Sequence, residues 1–450
     1  MGLIDFILFP AYVLVFYLFF SWRRKRIANE VLKKYHKQGF WIKVSGTIAF
    51  TVFFTLVSPG NDSHGLFYDE GINITRLITE DISNLKLIFS SGTDFDQTLL
   101  FNPYNQGYFG SESNYLVATL VSILSFFSFR NYMVINLMFS MISFSGVWQL
   151  YKFFYEQYPH LHKKLAIAIL YLPTFVFWSS GILKDPLCIG LLGWMTYSMY
   201  CAFYKNESVI KNLLIAFISG YFIIILKSYI LFSYLPFFIL FIAISKFNLI
   251  KKESIKIIAF VSLLVVGTMT FFVGADKFNE ELGSLALDKL SESVKMQQSA
   301  FINMADEAGS SFSLGVEFDG SNLSLLKTAP AAITATFFRP FLWESKNMSG
   351  LLSSIESLAL IAFTLFVLIK AGPFNFIYQI VKDPMIMFCF FFSIVFAIFV
   401  GATTLNFGTL IRYKIPCMPF YIISLVLVYE HIKKAKKESK EIKKPEPIAA

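Results

Sequence analysis

Long apolar runs separated by polar loops constrain the fold of this chain more than any other feature. The runs are about 17–20 residues long and recur from residues 3–20 to residues 413–429. A helix of that length crosses the hydrocarbon core of a bilayer. Charged residues make up 15% of the 450 residues, against about 25% in soluble domains. We therefore predict an all-α fold, a polytopic transmembrane helical bundle.

The placement of charge predicts which side of the membrane each loop faces. Basic residues follow the first span at Arg23–Arg26 and fill the tail at 431–450, whereas the loop at 59–114 is mostly acidic. Because basic loops stay in the cytoplasm, the acidic loop is expected outside and the C-terminus in the cytoplasm, in a cell or inner membrane. This anchoring pattern also explains the net charge of +9 without a nucleic-acid partner.

Eleven spans satisfy the charge rule if residues 114–129 lie at the outer interface instead of crossing. The predicted spans are residues 3–20, 41–57, 131–151, 165–180, 187–204, 212–226, 229–245, 257–273, 351–369, 385–402 and 413–429. The segments follow as 1–40 (first span and basic loop), 41–273 (core), 274–350 (external or interfacial), 351–430 (last spans) and 431–450 (tail).

The external loop opens with GLFYDEGINITRLITED at 65–81, in which two acids are adjacent. A helix from Glu70 onward has a polar face and an apolar face, which predicts an amphipathic helix on the membrane surface. The polar face carries Asn73, Arg76 and Glu80, and the apolar face carries Ile74, Leu77, Ile78 and Ile82. Asp69 stands at the helix start, where it is either a functional carboxylate or an ordinary N-cap.

Several short motifs follow one another along residues 41–429. They are FYDEG at 67–71, the interfacial segment 114–129, LP at 172–173 leading to WSSGILKD at 178–185, LKSY at 226–229 before Pro236, and RY at 412–413 before Pro416 and Pro419. Taken in this order they resemble the C-type (GT-C) integral membrane glycosyltransferases, in particular protein mannosyltransferase-like members. The first span and residues 274–328 have no counterpart in that family.

The resemblance implies transfer of a sugar, with inversion, from a polyprenyl-phosphate-linked donor to a glycan or protein acceptor on the outer face, as in polysaccharide biosynthesis. Asp69 would be the base, supported by Glu70, because a carboxylate can take the acceptor's proton. Lys227 and Arg412 would bind the phosphate, because cations stabilise the charge that develops on it. The remaining substrate contacts would be Lys184, Asp185, Arg339 and Tyr413.

Simpler roles exist for the same residues. Lys227 and Arg412 can snorkel from span ends, Lys184 and Asp185 can form an ion pair in a loop, and Arg339 can pair with Glu344. No spacing of cysteine or histidine indicates a metal site or a disulfide framework. The cofactor is therefore unknown, and a divalent metal at Asp185 stays open.

Three other functions compete with a glycosyltransferase. A surface-polysaccharide polymerase shares its substrate class and joins whole repeat units. A transporter or lipid flippase would carry charged residues near the middle of the membrane and helices broken there. A non-catalytic scaffold would tolerate replacement of Asp69 and Lys227.

Overall fold

The computed structural model describes residues 4–58, 62–247, 312–315, 322–345 and 348–442. Within these residues the fold is all-helical and contains no β-strand, which confirms the predicted fold class. The predicted span 257–273 and most of the polar region 274–328 lie outside the described residues. The chain divides into two compact units, Met1–Leu231 and Phe232–Ala450.

The first unit holds eight helices and the beginning of a ninth. They are α1 (Asp5–Lys25), α2 (Glu30–Val52), α3 (Asp69–Glu80), α4 (Glu112–Ser125), α5 (Tyr132–Gln157), α6 (His162–Leu170), α7 (Pro173–Trp178), α8 (Lys184–Met199) and α9 (Val209–Phe247). Single π-helical turns at Phe53–Val57, Asp62–Tyr68 and Tyr200–Lys205 and short 3₁₀ turns at Ile82–Phe89, Gln97–Leu99, Pro103–Asn105 and Pro159–Leu161 complete it.

The second unit holds the end of α9 and the helices that follow it in the described part of the chain. These are α10 (Asn322–Phe338), α11 (Met348–Ala371), α12 (Pro373–Lys382), α13 (Pro384–Thr403), α14 (Phe407–Tyr413) and α15 (Met418–Ile442), with a 3₁₀ turn at Leu342–Glu344. Helices α10 and α13 meet at Gly401, where a Cβ atom would stand 2.2 Å from the carbonyl oxygen of Ala332.

Seven helices in the described residues are long and apolar enough to cross a membrane. An eighth is added if α14 and α15, which are bent by 62° at a short break, form one span. These helices are compatible with a multi-pass membrane protein. They are Asp5–Lys25, Glu30–Val57, Tyr132–Gln157, Lys184–Lys205, Val209–Lys246, Gly350–Ala371 and Pro384–Thr403.

Three predicted spans differ in form from the helices observed. Residues 165–180 are not one helix but α6 and α7, which are separated at Leu172 because Pro173 disfavours a helical conformation for the residue before it. Residues 212–226 and 229–245 are not separated by a loop. They lie in α9, which is interrupted only at Lys227 (φ −156°, ψ 79°).

Helices α5 and α8 run parallel and touch along their backbones. Near their first turns, Asn136 Oδ1 accepts a hydrogen bond from Ile182 N at 2.9 Å. Near their ends, the Tyr197 hydroxyl donates to Glu156 at 2.8 Å. Since α8 begins beside the start of α5, the intervening α6 and α7 return the chain along the length of α5, which is about 39 Å at 1.5 Å per residue.

Residues 62–125, which we name the loop subdomain, have a hydrophobic core of their own. Ile74 and Ile78 of α3 are buried in it, whereas Ile82 lies beyond the helix end and is exposed. The other buried members are Leu87, Phe95, Leu100, Phe109, Tyr115 and Ala118. The apolar face of α3 therefore packs inside the subdomain, and the prediction that it lies on a membrane surface is wrong.

Helix α4 stays short, as the topology requires of residues 114–129. Its 14 residues span about 21 Å, less than the roughly 30 Å hydrocarbon core of a bilayer. It packs closely on α3, because a Cβ atom at Gly71 would stand 2.6 Å from Val121. Helix α4 is therefore part of the loop subdomain and not a span.

Candidate functional site

A buried ion pair joins two residues that the sequence analysis selected separately. Lys227 Nζ lies 2.5 Å from Asp185 Oδ1, and the two side chains are 6% and 0% exposed. Asp185 is the second residue of α8, and Lys227 is the non-helical residue that interrupts α9. A buried charge is costly unless it is paired or hydrogen-bonded, and here each charge is paired with the other.

Lys184 connects this ion pair to the loop subdomain. It is the first residue of α8, and its Nζ donates to Ser113 Oγ at 2.7 Å. Ser113 lies in the first turn of α4. Lys184 thus contacts α4, and Asp185 contacts Lys227; an ion pair between Lys184 and Asp185 stays a prediction.

Asp69 is the first residue of α3 and is partly exposed. Its side chain is 28% exposed, and its Oδ1 lies 3.4 Å from His64 Nδ1. The N-cap is Tyr68, which has helical backbone angles and makes no capping hydrogen bond through its side chain. Asp69 therefore follows the N-cap position and is not itself the N-cap, so the simpler interpretation of this carboxylate is not realised.

Tyr68 shapes the surroundings of Asp69. Burial, with a contribution from the charge of Asp69, raises the pKa of the Tyr68 phenol to about 12. The hydroxyl therefore keeps its proton, and it donates a hydrogen bond to the carbonyl of Arg130 at 2.7 Å. The carboxylate of Asp69 thus lies beside a neutral phenol and an imidazole.

Glu70 is buried and anchors a neighbouring stretch of backbone. Its carboxylate accepts hydrogen bonds from Phe101 N and Asn102 N, both at 3.0 Å, and from Asn105 Nδ2 at 2.8 Å. A carboxylate with several donors is stable without water. Glu70 holds residues 101–105 against the first turn of α3.

Asp69 and the Asp185–Lys227 pair lie toward the same end of the parallel helices α5 and α8. The ring of His64, the partner of Asp69, packs at a tilt against Tyr132, the first residue of α5, with the ring centroids 4.8 Å apart. Ile182, three residues before Asp185, bonds to Asn136 in the first turns of the same helix. This end of the first unit therefore carries three of the predicted site residues, the carboxylates of Asp69 and Asp185 and the ammonium of Lys227.

Arg339, in the second unit, is engaged by Glu344. Its Nε lies 3.0 Å from Oε1 and 3.1 Å from Oε2 of Glu344, and Nη1 donates to Ser313 O at 2.9 Å. The predicted Arg339–Glu344 pair is confirmed. The two residues line an open depression of about 500 Å³ together with Leu314, Pro330, Ala331, Thr334, Phe341 and Trp343.

Arg412 and Tyr413 are the last two residues of α14, with the guanidinium 5.7 Å from the Tyr413 ring. Sequence analysis missed the next residue, Lys414, which is buried and donates to Arg339 O at 3.2 Å. Arg412 belongs to the second unit, so its convergence with Asp69, Asp185 and Lys227 on one cavity stays a prediction.

Lys43 is the second residue that sequence analysis missed. It lies at the start of the predicted span 41–57, next to the basic loop, and it is 4% exposed inside α2. Its Nζ donates to Ser179 Oγ at 2.6 Å, to Ser143 Oγ at 3.3 Å and to the carbonyl of Ser179. Ser143 is near the middle of α5, so Lys43 lies halfway along the helices.

The helical spacing of small residues in the sequence indicates that Lys43 faces inward. Gly39, Gly46 and Thr47 are three or four residues from it, and all are buried on the same side of α2. A charged residue inside spanning helices is costly and is retained for a function or for a specific structural contact.

The described residues contain no group of three histidine, cysteine, aspartate or glutamate side chains placed to hold a metal ion. In the part of the chain that the structure describes, the fold and this site define a class, an all-helical protein with seven or eight potential spans and buried charges between its helices. Family models, curated proteins and solved structures gave no match to this chain.

Proposed function

We propose that this chain is an integral membrane glycosyltransferase that transfers a sugar from a polyprenyl-phosphate-linked donor to an acceptor. One observation supports it most. The buried Asp185–Lys227 pair lies toward the helix end that also carries the loop subdomain with the partly exposed Asp69. A base and a cation at one end of the helices are the groups that sugar transfer from a lipid phosphate requires.

Each group has a distinct role in this proposal. Asp69 takes the proton of the acceptor hydroxyl, and His64 at 3.4 Å orients its carboxylate. An ammonium has three N–H donors, so Lys227 can hold Asp185 and a donor phosphate oxygen together. Glu70, the residue after the base, keeps residues 101–105 in place against α3.

The test is sugar incorporation by membranes that contain equal amounts of the wild-type chain and of Asp69→Asn. The amide cannot accept the proton, so the rate should fall roughly a hundredfold or more. Binding of the lipid-linked donor should persist, because the cations remain. Asp94→Asn, an exposed acid of the same subdomain, is the matched control. Near-normal incorporation by Asp69→Asn would remove this residue from the mechanism.

A transporter or lipid flippase is the second candidate, and Lys43 favours it. Transporters place charged residues and broken helices midway through the membrane. Lys43 lies halfway along the helices, and the residues it contacts, Ser179 and Ser180, follow the broken pair α6 and α7. Substrate uptake into sealed vesicles that is lost in Lys43→Met and retained in Asp69→Asn would support transport over transfer.

A further inference from the structure

The turn between α4 and α5, residues 126–130 (FFSFR), exposes three aromatic side chains beside a spanning helix. Phe126, Phe127 and Phe129 are 48%, 67% and 77% exposed, and only Ser128 is buried. Three neighbouring phenyl rings form an apolar patch of the kind that marks an interaction site.

Most of the hydrogen-bonding groups of the backbone in this turn have partners within the protein. The amide groups of Phe127, Ser128, Arg130 and Asn131 donate to carbonyls within residues 124–128. The carbonyls of Phe127 and Arg130 accept from the hydroxyls of Tyr12 and Tyr68. Non-helical backbone at membrane depth has to satisfy its polar groups within the protein, as these amides and carbonyls do.

Contacts with α1 set the depth of the turn. Asn131 Nδ2 donates to Asp5 Oδ1 at 2.5 Å, at the first residue of α1. Tyr12, which bonds to Phe127, lies seven residues further along and so about 10 Å deeper. Because a helical side chain leans toward the N-terminus, Phe127 lies less than that distance below Asp5. The turn therefore lies beside the first apolar turns of a candidate span.

The backbone angles keep the rings outward. Phe129 and Arg130 both have left-handed φ values, 53° and 56°. Such angles are uncommon for a bulky residue and persist only where the surrounding contacts impose them. Here the hydroxyls of Tyr12 and Tyr68 fix the carbonyls on either side of the strained pair.

We infer that residues 126–130 form a membrane wedge whose three phenyl rings insert among the acyl chains of the bilayer beside α1. The occupant is lipid because the turn bonds to Tyr12 of α1, a candidate span whose apolar side chains are mostly exposed, Val15 near Tyr12 among them. Arg130 is exposed next to the rings and reaches toward headgroup phosphates, as long basic side chains do. The wedge ties the loop subdomain to the membrane surface, and this inference does not depend on the proposed enzymatic activity.

The test is a nitroxide spin label on Phe127→Cys in the full chain reconstituted in phosphatidylcholine vesicles. The native cysteines are free and buried, so the background labelling is low. Collisions with apolar oxygen should exceed those with a water-soluble nickel chelate at position 127. Tyr104→Cys, exposed elsewhere in the loop subdomain, is the matched control and should show the reverse order.

Equal and high nickel access at positions 127 and 104 would overturn the wedge. Low access of both reagents at 127 would also overturn it, because that would place the ring against protein. If Phe127→Cys does not fold, Phe129→Cys tests the same surface. Phe127→Trp, measured as added fluorescence quenched by brominated acyl chains, gives an independent reading without a label.

Discussion

At the scale of single residues, buried charges distinguish this chain from a plain bundle of apolar helices. Asp185 and Lys227 depend on each other, whereas Lys43 is surrounded by neutral oxygens from Ser143, Ser179 and Ser180. The energetic consequences of removing them therefore differ. Removing one member of an ion pair destabilises the fold because the other charge stays buried without a partner. Removing a hydrogen-bonded cation destabilises the fold because its acceptors lose their donor.

Removing one member of the ion pair should cost more stability than removing both. Asp185→Ala leaves the Lys227 ammonium buried without its carboxylate, a change that costs about 3–5 kcal/mol in other proteins. The double variant Asp185→Ala, Lys227→Met removes both charges and should unfold closer to the wild-type temperature. The unfolding temperatures of Asp185→Ala, Lys227→Met and the double variant are measured in detergent. Additive losses would show that the pair contributes no coupling.

Lys43→Met should destabilise the first unit, whereas a lysine at the surface of the same helix should not matter. Methionine has a similar length but no donor, so the Ser179 carbonyl and three hydroxyls lose a partner, at a cost of about 1–3 kcal/mol. Lys34→Met, exposed near the start of α2, is the matched control. Equal unfolding temperatures for the two variants would show that the hydrogen bonds of Lys43 do not stabilise the first unit.

The residue-level predictions succeeded where a side chain stands beside its partner in a motif and failed where distant helices create its environment. Arg339 and Glu344 are five residues apart, and their pairing was predicted. The environment of Lys43 is made by α5 and by the residues after α7, about 100 to 137 positions away. Neither apolar length nor local charge carries that information, although the buried glycines beside it on α2 indicate a packed face.

At the scale of helices, close backbone contact between α5 and α8 sets the geometry of the first unit. A Cβ atom at Gly146 would stand 1.8 Å from the carbonyl oxygen of Gly190, and one at Gly193 would stand 2.0 Å from the carbonyl of Gly146. Only glycine permits this approach, and small residues are the usual means of packing helices within membranes.

Gly146→Ala should separate α5 from α8 and lower the yield of folded protein. The added methyl group would overlap backbone atoms, which cannot move aside as a flexible side chain can. Gly220→Ala in α9 is the matched control, since its Cβ would meet Met195 Sδ at an ordinary 3.9 Å. Alanine also favours a helix over glycine by about 1 kcal/mol, so the control should be neutral or slightly more stable. The yield of folded protein is compared between the two variants from their size-exclusion profiles in detergent.

Helix existence was predictable, but helix continuity was not. Apolar length identified α1, α5, α8 and α13, because a run of that length has few alternatives in a membrane protein. Helix α2 begins at Glu30, well before the predicted residue 41, because its first turns are helical without being apolar. The break at Lys227 was located correctly but takes a single residue instead of a loop.

At the scale of the whole chain, the direction in which each helix crosses remains a prediction from charge. The parallel run of α5 and α8 requires the connecting residues to return along their length, which is in accord with alternating crossings. The total of about eleven spans includes residues 257–273, which lie outside the described residues. The side of the membrane that each loop faces has to be measured.

Cysteine labelling at two positions tests the side of the loop subdomain directly. Asp94 lies exposed in the subdomain and Lys34 lies exposed near the start of α2, so α2 is the candidate span between them. At 28 residues α2 with its π-helical turn reaches about 42 Å, enough to cross the roughly 30 Å core. In intact cells a membrane-impermeant maleimide should modify Asp94→Cys, and it should modify Lys34→Cys only after permeabilisation. The reverse pattern would place the subdomain, Asp69 and the proposed transfer reaction in the cytoplasm. Modification of both positions in intact cells would mean that α2 does not cross, and the alternation of every later span would have to be redrawn.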